Sequence, residues 1–160
     1  MHPNVHAVQD ALVAAGAQGQ VIVLPDAVTT AAQAAAALNV EVGQIANSLI
    51  FEAVATPQEG GTPLLVLTSG AHRVDTAKVA ALLGYATVKR ATPEFVREHT
   101  GQPIGGVAPL GHPKPVPTLV DVALGAYPVI WAAGGIPHAV FPTTYDELVR
   151  ITGGTPAEVA

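Results

Sequence analysis

The sequence predicts a mixed α/β fold, in which a central, mixed or mostly antiparallel sheet is flanked by helices. Stretches with apolar residues at helical spacing alternate with short runs of β-branched residues, which is typical of this class. Hydrophobic residues make up 49% of the chain and charged residues only 12%, which excludes an intrinsically disordered protein. No repeat or linker divides the chain, and 160 residues are the size of one domain. We therefore expect a single domain over residues 1–160.

The first three elements are two helices around a short strand. Apolar residues recur at helical spacing over residues 4–15, which predicts a helix. The β-branched run over residues 20–24 predicts a strand. An alanine-rich stretch that Thr29 or Thr30 can cap predicts a second helix, which ends near Asn39.

A hairpin and a third helix follow. Residues 48–55 and 64–68 read as strands, and the Gly- and Pro-containing stretch 56–62 between them reads as a turn, so the two strands are expected to pair. Asp75 can cap a helix that runs through Leu83, where the next residue is glycine.

The second half of the chain begins with a short strand over residues 87–89. Thr92 followed by Pro93 is a typical helix start, and a loop dominated by Gly and Pro covers residues 101–117. Three further short strands are predicted over residues 118–122, 129–132 and 139–141. Thr143 or Thr144 can cap a last helix, predicted over residues 145–151.

The residues that the chain lacks exclude several chemistries. It contains no cysteine, which excludes disulfides, thiolate zinc sites, iron–sulfur clusters and cysteine nucleophiles. Its two serines, Ser48 and Ser69, do not lie in a G-x-S-x-G motif, and the glycine motifs of the common nucleotide-binding folds do not occur. We expect no metal site and no cofactor.

No export signal or membrane span is predicted. The N-terminus lacks a basic segment followed by an apolar run. Glycines and prolines divide the long uncharged stretch 122–145 into turns and short strands. We expect a cytoplasmic protein with no membrane partner.

Basic residues are concentrated in the middle of a chain whose net charge is −5. Six of the seven lie between residues 72 and 114, where only three acidic residues oppose them. A basic segment on an acidic protein is a candidate phosphate-facing surface, but charges on a solvated helix face give the same pattern, and charge alone favours that simpler interpretation. The small number of basic residues argues against tight non-specific binding of nucleic acid.

The most unusual segment is the loop over residues 105–112, which contains three glycines and a proline. Glycines let a backbone approach a ligand closely and expose N–H donors, which can hold a phosphate or a developing oxyanion. A tight structural loop would have the same composition, and composition alone does not separate the two. A second turn of small residues, 133–135, follows a strand and is expected to face the same cleft.

Several short segments carry a combined pattern that none carries alone. They cover residues 45–51, 67–70, 74–75, 78–80, 100–101, 105–112, 117–121 and 133–135. Together they resemble the YbaK/EbsC family, also called the prolyl-tRNA synthetase-associated domain, over nearly the whole chain. The resemblance implies the fold of that domain and a freestanding deacylase that hydrolyses the ester between a wrong amino acid and the 3′-terminal adenosine of a tRNA, often the tRNA for proline. Such editing is needed because a synthetase pocket separates amino acids that differ by one methylene by only about 1–3 kcal/mol.

The resemblance also implies how the site works and which residues form it. In this family a hydroxyl of the terminal ribose is thought to help activate the water, while the protein supplies backbone donors and a sized pocket. Gly105 and Gly106 would hold the ester carbonyl or the ribose, and Asn47 occupies the third catalytic position. The substrate-binding positions are Ser69, Pro109, Gly111, Ala133, Gly134, Gly135 and His138. From their charge, we expect Arg73 and Lys78 to meet phosphates of the acceptor end.

One departure from the family pattern leaves the activity open. Many members have a lysine where this chain has Asn47, and asparagine can hydrogen-bond but cannot attract a phosphate as a charge. Asn47 is compatible with another substrate branch, with weak activity or with binding without cleavage. Ala133 stands where some members have a pocket serine, so specificity for Cys-tRNA is not implied.

Three hypotheses follow, in order of preference. The first is an editing hydrolase whose partner is the 3′ acceptor end of an aminoacyl-tRNA, with prolyl-tRNA synthetase and a second copy of the chain as further candidate partners. The second is a binding module of the same fold that has lost catalysis. The third is an interaction protein without a ligand, against which the glycine loop argues.

Overall fold

A single eight-stranded mixed sheet organises the computed structural model, which describes residues 2–160. The helices are α1 (Pro3–Ala14), α2 (Ala31–Leu38), α3 (Thr76–Leu83), α4 (Pro93–Thr100) and α5 (Tyr145–Thr152). The strands are β1 (Ile22–Val23), β2 (Ile45–Val54), β3 (Thr62–Ser69), β4 (Thr87–Arg90), β5 (Thr118–Asp121), β6 (Ile130–Ala133), β7 (Ala139–Thr143) and β8 (Thr155–Ala157). The predicted fold class, a mixed α/β domain, is confirmed.

The strands run in the order β1-β7-β6-β2-β3-β5-β8, and β4 pairs with β2 outside this path. Four pairings are antiparallel, among them the predicted β2–β3 hairpin, and three are parallel. The parallel pairs join strands that are distant in sequence, so the loops and helices between them must cross the faces of the sheet. Helices α1 and α4 and the glycine-rich loop share one face, where Leu12, Val96 and Val107 pack in the same apolar cluster.

The predicted helix caps are present. Of the alternatives that the sequence left open, Thr30 rather than Thr29 caps α2, and Thr144 rather than Thr143 caps α5. Thr30, Asp75, Thr92 and Thr144 each accept a hydrogen bond from the backbone N–H three residues ahead, at 3.1–3.2 Å. The predicted end of α3 at Gly84 is also present, because Gly84 has the left-handed φ of +76° that is typical of a residue that ends a helix.

Element boundaries differ from the predictions where long-range pairing decides them. Strand β2 begins at Ile45 rather than Ser48, because Ile45 and Ala46 pair with β6. Strand β8 was not predicted, since its Gly- and Pro-flanked sequence gains strand geometry only by pairing with β5. Strand β1 is two residues long because only Ile22 and Val23 reach β7.

Three apolar clusters form the core: a small one joins Ala34 and Ala35 of α2 to Ile45 of β2, and the two large ones lie on opposite faces of the sheet. The larger joins even-numbered residues of β2, such as Ile50, to Leu12 of α1 and Leu148 of α5. The smaller joins Phe51 to Val79 of α3. Because side chains alternate between the faces of a strand, β2 contributes to both large clusters. Among the described residues, none of the helices has the length and hydropathy that a bilayer crossing requires.

Candidate functional site

A gap in the sheet beside β2 forms the centre of the candidate site. One edge of β2 pairs with β3 from Ala46 to Ala53. The other edge pairs with β6 at Ile45 and Ala46 and with β4 from Phe51 onward, so residues 47–50 have no strand partner on that edge within the described chain. Backbone groups and side chains are therefore open to a ligand there, and two cavities meet at this gap.

The first, which we call the main cavity, has a volume of about 300 Å³. Its walls are mostly apolar and come from α2, β2, β6, β7 and the glycine-rich loop; they include Ala31, Ile45, Ile50, Trp131, Ile136 and Val140. Asn47, Ser48, Thr29, Thr30 and Arg90 are its polar residues. A cavity of this size and polarity suits a small ligand with an apolar body and a few polar groups.

Gly105 brings the backbone of the glycine-rich loop to the mouth of the main cavity. Its φ of +89° favours glycine, and a Cβ at this position would lie 3.5 Å from Thr29. The Gly105 N–H has no acceptor among residues 2–160. A donor that the fold leaves free beside a cavity can stabilise negative charge on a bound carbonyl oxygen.

Gly106, unlike Gly105, does not line the main cavity. Its N–H donates to the Pro103 carbonyl at 3.0 Å, so this donor is already engaged. A Cβ on Gly106 would lie 2.6 Å from the carbonyl carbon of Ile136 and 2.7 Å from the Pro137 nitrogen. The residue thus lets the loop pack directly against the β6–β7 turn and orients Gly105 toward the cavity.

A buried glutamine anchors the remainder of the loop. The Ala108 N–H donates to Oε1 of Gln102 at 2.7 Å, and Gln102 is 2% exposed. His112 lies at the far end, with Nε2 2.7 Å from the Ala108 carbonyl oxygen. Burial lowers the pKa of His112, and its hydrogen bond to the backbone only partly opposes that effect. Sequence reasoning assigned no role to Gln102.

The turn of small residues contributes one wall and its support. Ala133 lines the main cavity. Gly134 and Gly135 lie behind that wall, and Gly135, with a φ of +106°, is packed against the Asn4 carbonyl of α1. His138 does not line either cavity, and its Nδ1 lies 3.4 Å from the Leu24 carbonyl oxygen.

The second cavity, of about 460 Å³, opens on the other side of the gap. Three odd-numbered residues of β2, Asn47, Leu49 and Phe51, line both cavities, as does Arg90 from β4. The second cavity is completed by His72, Arg73, Val74 and Thr76, between β3 and the start of α3. Asn47 therefore lies at the boundary between an apolar and a basic space.

Asp121 is a buried carboxylate beneath the second cavity. It is 1% exposed, and its oxygens accept from the backbone N–H of Ser69 at 3.0 Å and of Ala123 at 2.9 Å. Its Oδ2 also lies 2.8 Å from Nδ1 of His72. The position was noted in the sequence only as part of the family pattern. A charged residue at the end of an apolar strand was the available signal for its role.

The other predicted site residues lie around the cavities rather than in them. The Ser69 hydroxyl donates to the Gly43 carbonyl at 3.0 Å. Pro109 is buried in the loop, and Gly111, with a φ of +84°, contacts the backbone of α1. Lys78 donates to the Ala160 carbonyl at 3.0 Å and lies 4.0 Å from the Glu158 carboxylate.

Ser48 is a wall residue that sequence reasoning did not single out for binding. Its hydroxyl oxygen is buried and has no hydrogen-bond partner among the described residues. It lies on β2 between Ala46 and Ile50, in the lining of the main cavity. A buried polar group without a partner is costly, so this hydroxyl is available to a polar atom of a ligand.

The sequence of this chain is similar to those of known proteins. The profile of the aminoacyl-tRNA editing domain matches residues 25–151. The chain is 30% identical over 119 residues to the uncharacterized protein YwhH of Bacillus subtilis (strain 168), a match that covers 74% of this chain and 72% of that one. It is also 31% identical over 97 residues to the proline–tRNA ligase of Geobacillus kaustophilus (strain HTA426), which covers 61% of this chain but only 16% of the ligase.

Solved structures show the same relationship in three dimensions. One, described as a "putative trans-editing enzyme for prolyl tRNA synthetase", has a TM-score of 0.89 and 42% identity and covers 99% of this chain and 98% of its own. Another, the hypothetical protein APE2540, has a TM-score of 0.86 and 29% identity over 96% of this chain and 98% of its own. The profile match covers most of the chain, and this protein belongs to the aminoacyl-tRNA editing domain family.

Proposed function

We propose that this protein is a trans-editing deacylase that hydrolyses the ester between a small, wrongly attached amino acid and the 3′-terminal adenosine of a tRNA, with the tRNA for proline as the first candidate. The observation that supports this most is the free N–H of Gly105 at the mouth of the main cavity. It is an unpaired donor in the cavity lining, where the carbonyl of an ester could reach it if the amino acid enters the cavity.

The main cavity suits an uncharged aminoacyl group. Its walls around Ile50, Trp131 and Val140 are apolar, and Arg90 is its one charged lining residue. A cationic side chain would lose its hydration there without a carboxylate to pair with it, and an anionic one would have only the Arg90 guanidinium as a partner among the described lining residues. Small amino acids are those that synthetase pockets reject poorly, so they are the substrates that editing must remove.

Hydrolysis at this site needs no protein nucleophile. A water adds to the ester carbonyl carbon, and the negative charge that develops on the carbonyl oxygen is stabilised by the Gly105 N–H. The tetrahedral intermediate then breaks its bond to the ribose oxygen, which leaves and takes up a proton. The products are a free amino acid and an uncharged tRNA. As in the family that the sequence resembles, the neighbouring ribose hydroxyl is the group proposed to help activate the water.

A second candidate function is a module that binds an acylated tRNA end without cleaving it. The observation that favours it is Asn47, which occupies the boundary of the two cavities where many family members have a lysine. Its amide can donate and accept hydrogen bonds but adds no positive charge. In that case the same cavities bind the ligand and turnover is absent.

In either role the partner is the acceptor end of an aminoacyl-tRNA, in the cytoplasm where translation takes place. The similarity to part of a proline–tRNA ligase makes prolyl-tRNA synthetase a candidate protein partner. A second copy of the chain is another candidate, which sedimentation of the free protein would reveal.

Deacylation of a panel of mischarged tRNAs tests the proposal. The panel is the tRNA for proline carrying Ala, Cys, Ser or Thr, and the proteins are the wild type, Asn47→Lys and Gly105→Ala. Gly84→Ala is the matched control, because Gly84 also has a positive φ (+76°) and ends α3, which is outside the main cavity. It reproduces the backbone strain of the Gly105 substitution without touching the loop.

The outcomes separate the two functions. Release of one amino acid by the wild type and by Gly84→Ala, but not by Gly105→Ala, would establish editing and name the substrate. An acylated tRNA that binds the wild type and is never hydrolysed would favour the binding module. Turnover that appears only in Asn47→Lys would show that this one residue silences the site.

A further inference from the structure

The second cavity has cationic walls. Arg73, Arg90 and His72 line it, and no Asp or Glu is among its described lining residues. The remaining walls are Thr76, Asn47 and the apolar side chains of Leu49, Phe51 and Val74. A concave surface with two guanidinium groups and a histidine attracts an anion, and the low-dielectric walls focus that attraction.

These arginines are not used in ion pairs by the fold. Among residues 2–160, neither Arg73 nor Arg90 has a carboxylate within 4.0 Å. Two nearby lysines differ: Lys89 lies 3.2 Å from the Glu52 carboxylate, and Lys78 is held near the Ala160 carbonyl. The cavity thus contains two arginines that have no acidic partner among the described residues.

The buried Asp121 carboxylate orients the His72 ring. The Asp121 carboxylate accepts hydrogen bonds but cannot donate one, so the Nδ1 that lies 2.8 Å away carries the proton. Asp121 is itself fixed by the N–H groups of Ser69 and Ala123. In the neutral ring Nε2 is then a hydrogen-bond acceptor, so it remains for a donor such as a ribose hydroxyl. The buried Asp121 thus fixes the position of His72, while the Arg73 and Arg90 side chains are exposed in the cavity wall.

The second cavity also adjoins the main cavity. The two share Asn47, Leu49, Phe51 and Arg90, and they meet at the gap beside β2. The second cavity is therefore an adjoining space for the terminal ribose and its phosphate when an aminoacyl group occupies the main cavity. The rest of the polynucleotide must continue outward from it.

We propose that the second cavity binds phosphodiester groups of the 3′-terminal nucleotides of the substrate, with Arg73 and Arg90 as the phosphate ligands and Nε2 of His72 as an acceptor for a neighbouring ribose hydroxyl. This inference rests on the proposed function, because it assumes that the main cavity holds the aminoacyl group. Guanidinium groups pair with phosphate oxygens by two parallel hydrogen bonds, and such contacts position a nucleic acid without reading its sequence. The protein then recognises an acceptor end by its backbone and the amino acid by the main cavity.

The test compares two substrates that differ in phosphate. One is an RNA minihelix that ends in CCA and carries the amino acid, and the other is the same amino acid on the ribose of adenosine, which has no phosphate. The variants are Arg73→Gln and Arg90→Gln. Lys89→Gln is the matched control, because Lys89 is adjacent to Arg90 on β4 and lines neither cavity.

We expect the ratio of kcat/KM for the minihelix to kcat/KM for aminoacyl-adenosine to fall about tenfold in each arginine variant, the loss typical of one charged hydrogen bond. The slope of log KM against log salt for the minihelix should decrease by about 0.7 for each lost contact, the value for single strands. Lys89→Gln should leave the ratio unchanged. An unchanged ratio in both arginine variants, or an equal loss on both substrates, would overturn the inference.

A failure of the proposed function gives a different result. If the wild type hydrolyses neither substrate, calorimetry with the trinucleotide CCA and with adenosine still decides the question. Salt-sensitive binding of the trinucleotide that weakens in Arg73→Gln supports the phosphate subsite in a non-catalytic protein. Equal or absent binding of the two probes overturns it.

Discussion

The two cavities beside β2 differ in how they are made. The main cavity is formed by apolar side chains and by a loop whose free donor is the backbone N–H of Gly105. The second cavity is formed by Arg73, Arg90 and His72, with the buried Asp121 beneath them. Strand β2 contributes lining residues to both cavities. The function of the main cavity thus depends on its shape. If the loop backbone is displaced, a chemically similar side chain cannot restore that shape. The function of the second cavity depends on charge, which salt and single substitutions can reduce by degrees.

The largest expected effect is at Gly106, behind the main cavity. In Gly106→Ala the new Cβ would lie 2.6 Å from a backbone carbon of Ile136, so the loop must move. A displacement of about 1 Å can cost roughly 10²-fold in rate, and we expect a loss of that order in the deacylation rate constant. Gly60→Ala, in a turn with nothing within 4 Å of the new Cβ, should retain full activity. Wild-type rates in Gly106→Ala would show that loop shape is not limiting.

The second prediction concerns the base of the second cavity. Asp121→Asn keeps the volume of the side chain but replaces an acceptor oxygen by an amide donor facing the N–H groups of Ser69 or Ala123. Leaving buried groups unpaired costs about 1–3 kcal/mol each, so we expect a loss of about 3 kcal/mol in the free energy of unfolding in urea. Asp75→Asn, at the exposed cap of α3, should cost about 1 kcal/mol or less. Equal losses would contradict a special role for the buried carboxylate.

The third prediction returns to the main cavity and its amino-acid preference. Ser48→Ala removes the buried hydroxyl that has no partner in the fold, so the free energy of unfolding should stay the same or rise. If a substrate hydroxyl pairs with it, the wild type should release Ser faster than Ala, and the variant should lose about 1 kcal/mol of that discrimination. Parallel assays of Ser- and Ala-charged tRNA measure it. An identical preference in both proteins would exclude this contact.

The smallest effect is expected from His112, which supports the loop. Burial lowers its pKa below 6.5 in the folded protein, so between the two pKa values the unfolded chain binds more protons than the native one. Stability is therefore present above pH 6.5 and decreases as the pH falls through that value. The decrease in Tm from pH 7.5 to 5.5 should be smaller in His112→Gln than in the wild type or in a variant of the exposed His6. A decrease of the same size in all three would remove His112 as the cause.

Local sequence was sufficient to predict most elements. The caps Thr30, Asp75, Thr92 and Thr144 were placed to within one residue, because capping depends on a few neighbouring backbone groups. Strand β8 and the first residues of β2 were missed, because their geometry comes from partners distant in sequence. The same distinction applies within the loop, where only the fold shows that the Gly105 N–H is free while the Gly106 N–H is engaged.

By itself the sequence determined the mixed α/β class, the helices with their caps, the absence of cysteine chemistry and the resemblance to an editing family. These follow from composition, local periodicity and motif order, which act over short stretches of chain. The tertiary structure decided which residues share a space: Asn47 between two cavities, Asp121 beneath His72 and an orphaned Ser48 hydroxyl in an apolar wall. Those relations depend on the pairing of β2 with β6 and β4, which no local signal encodes.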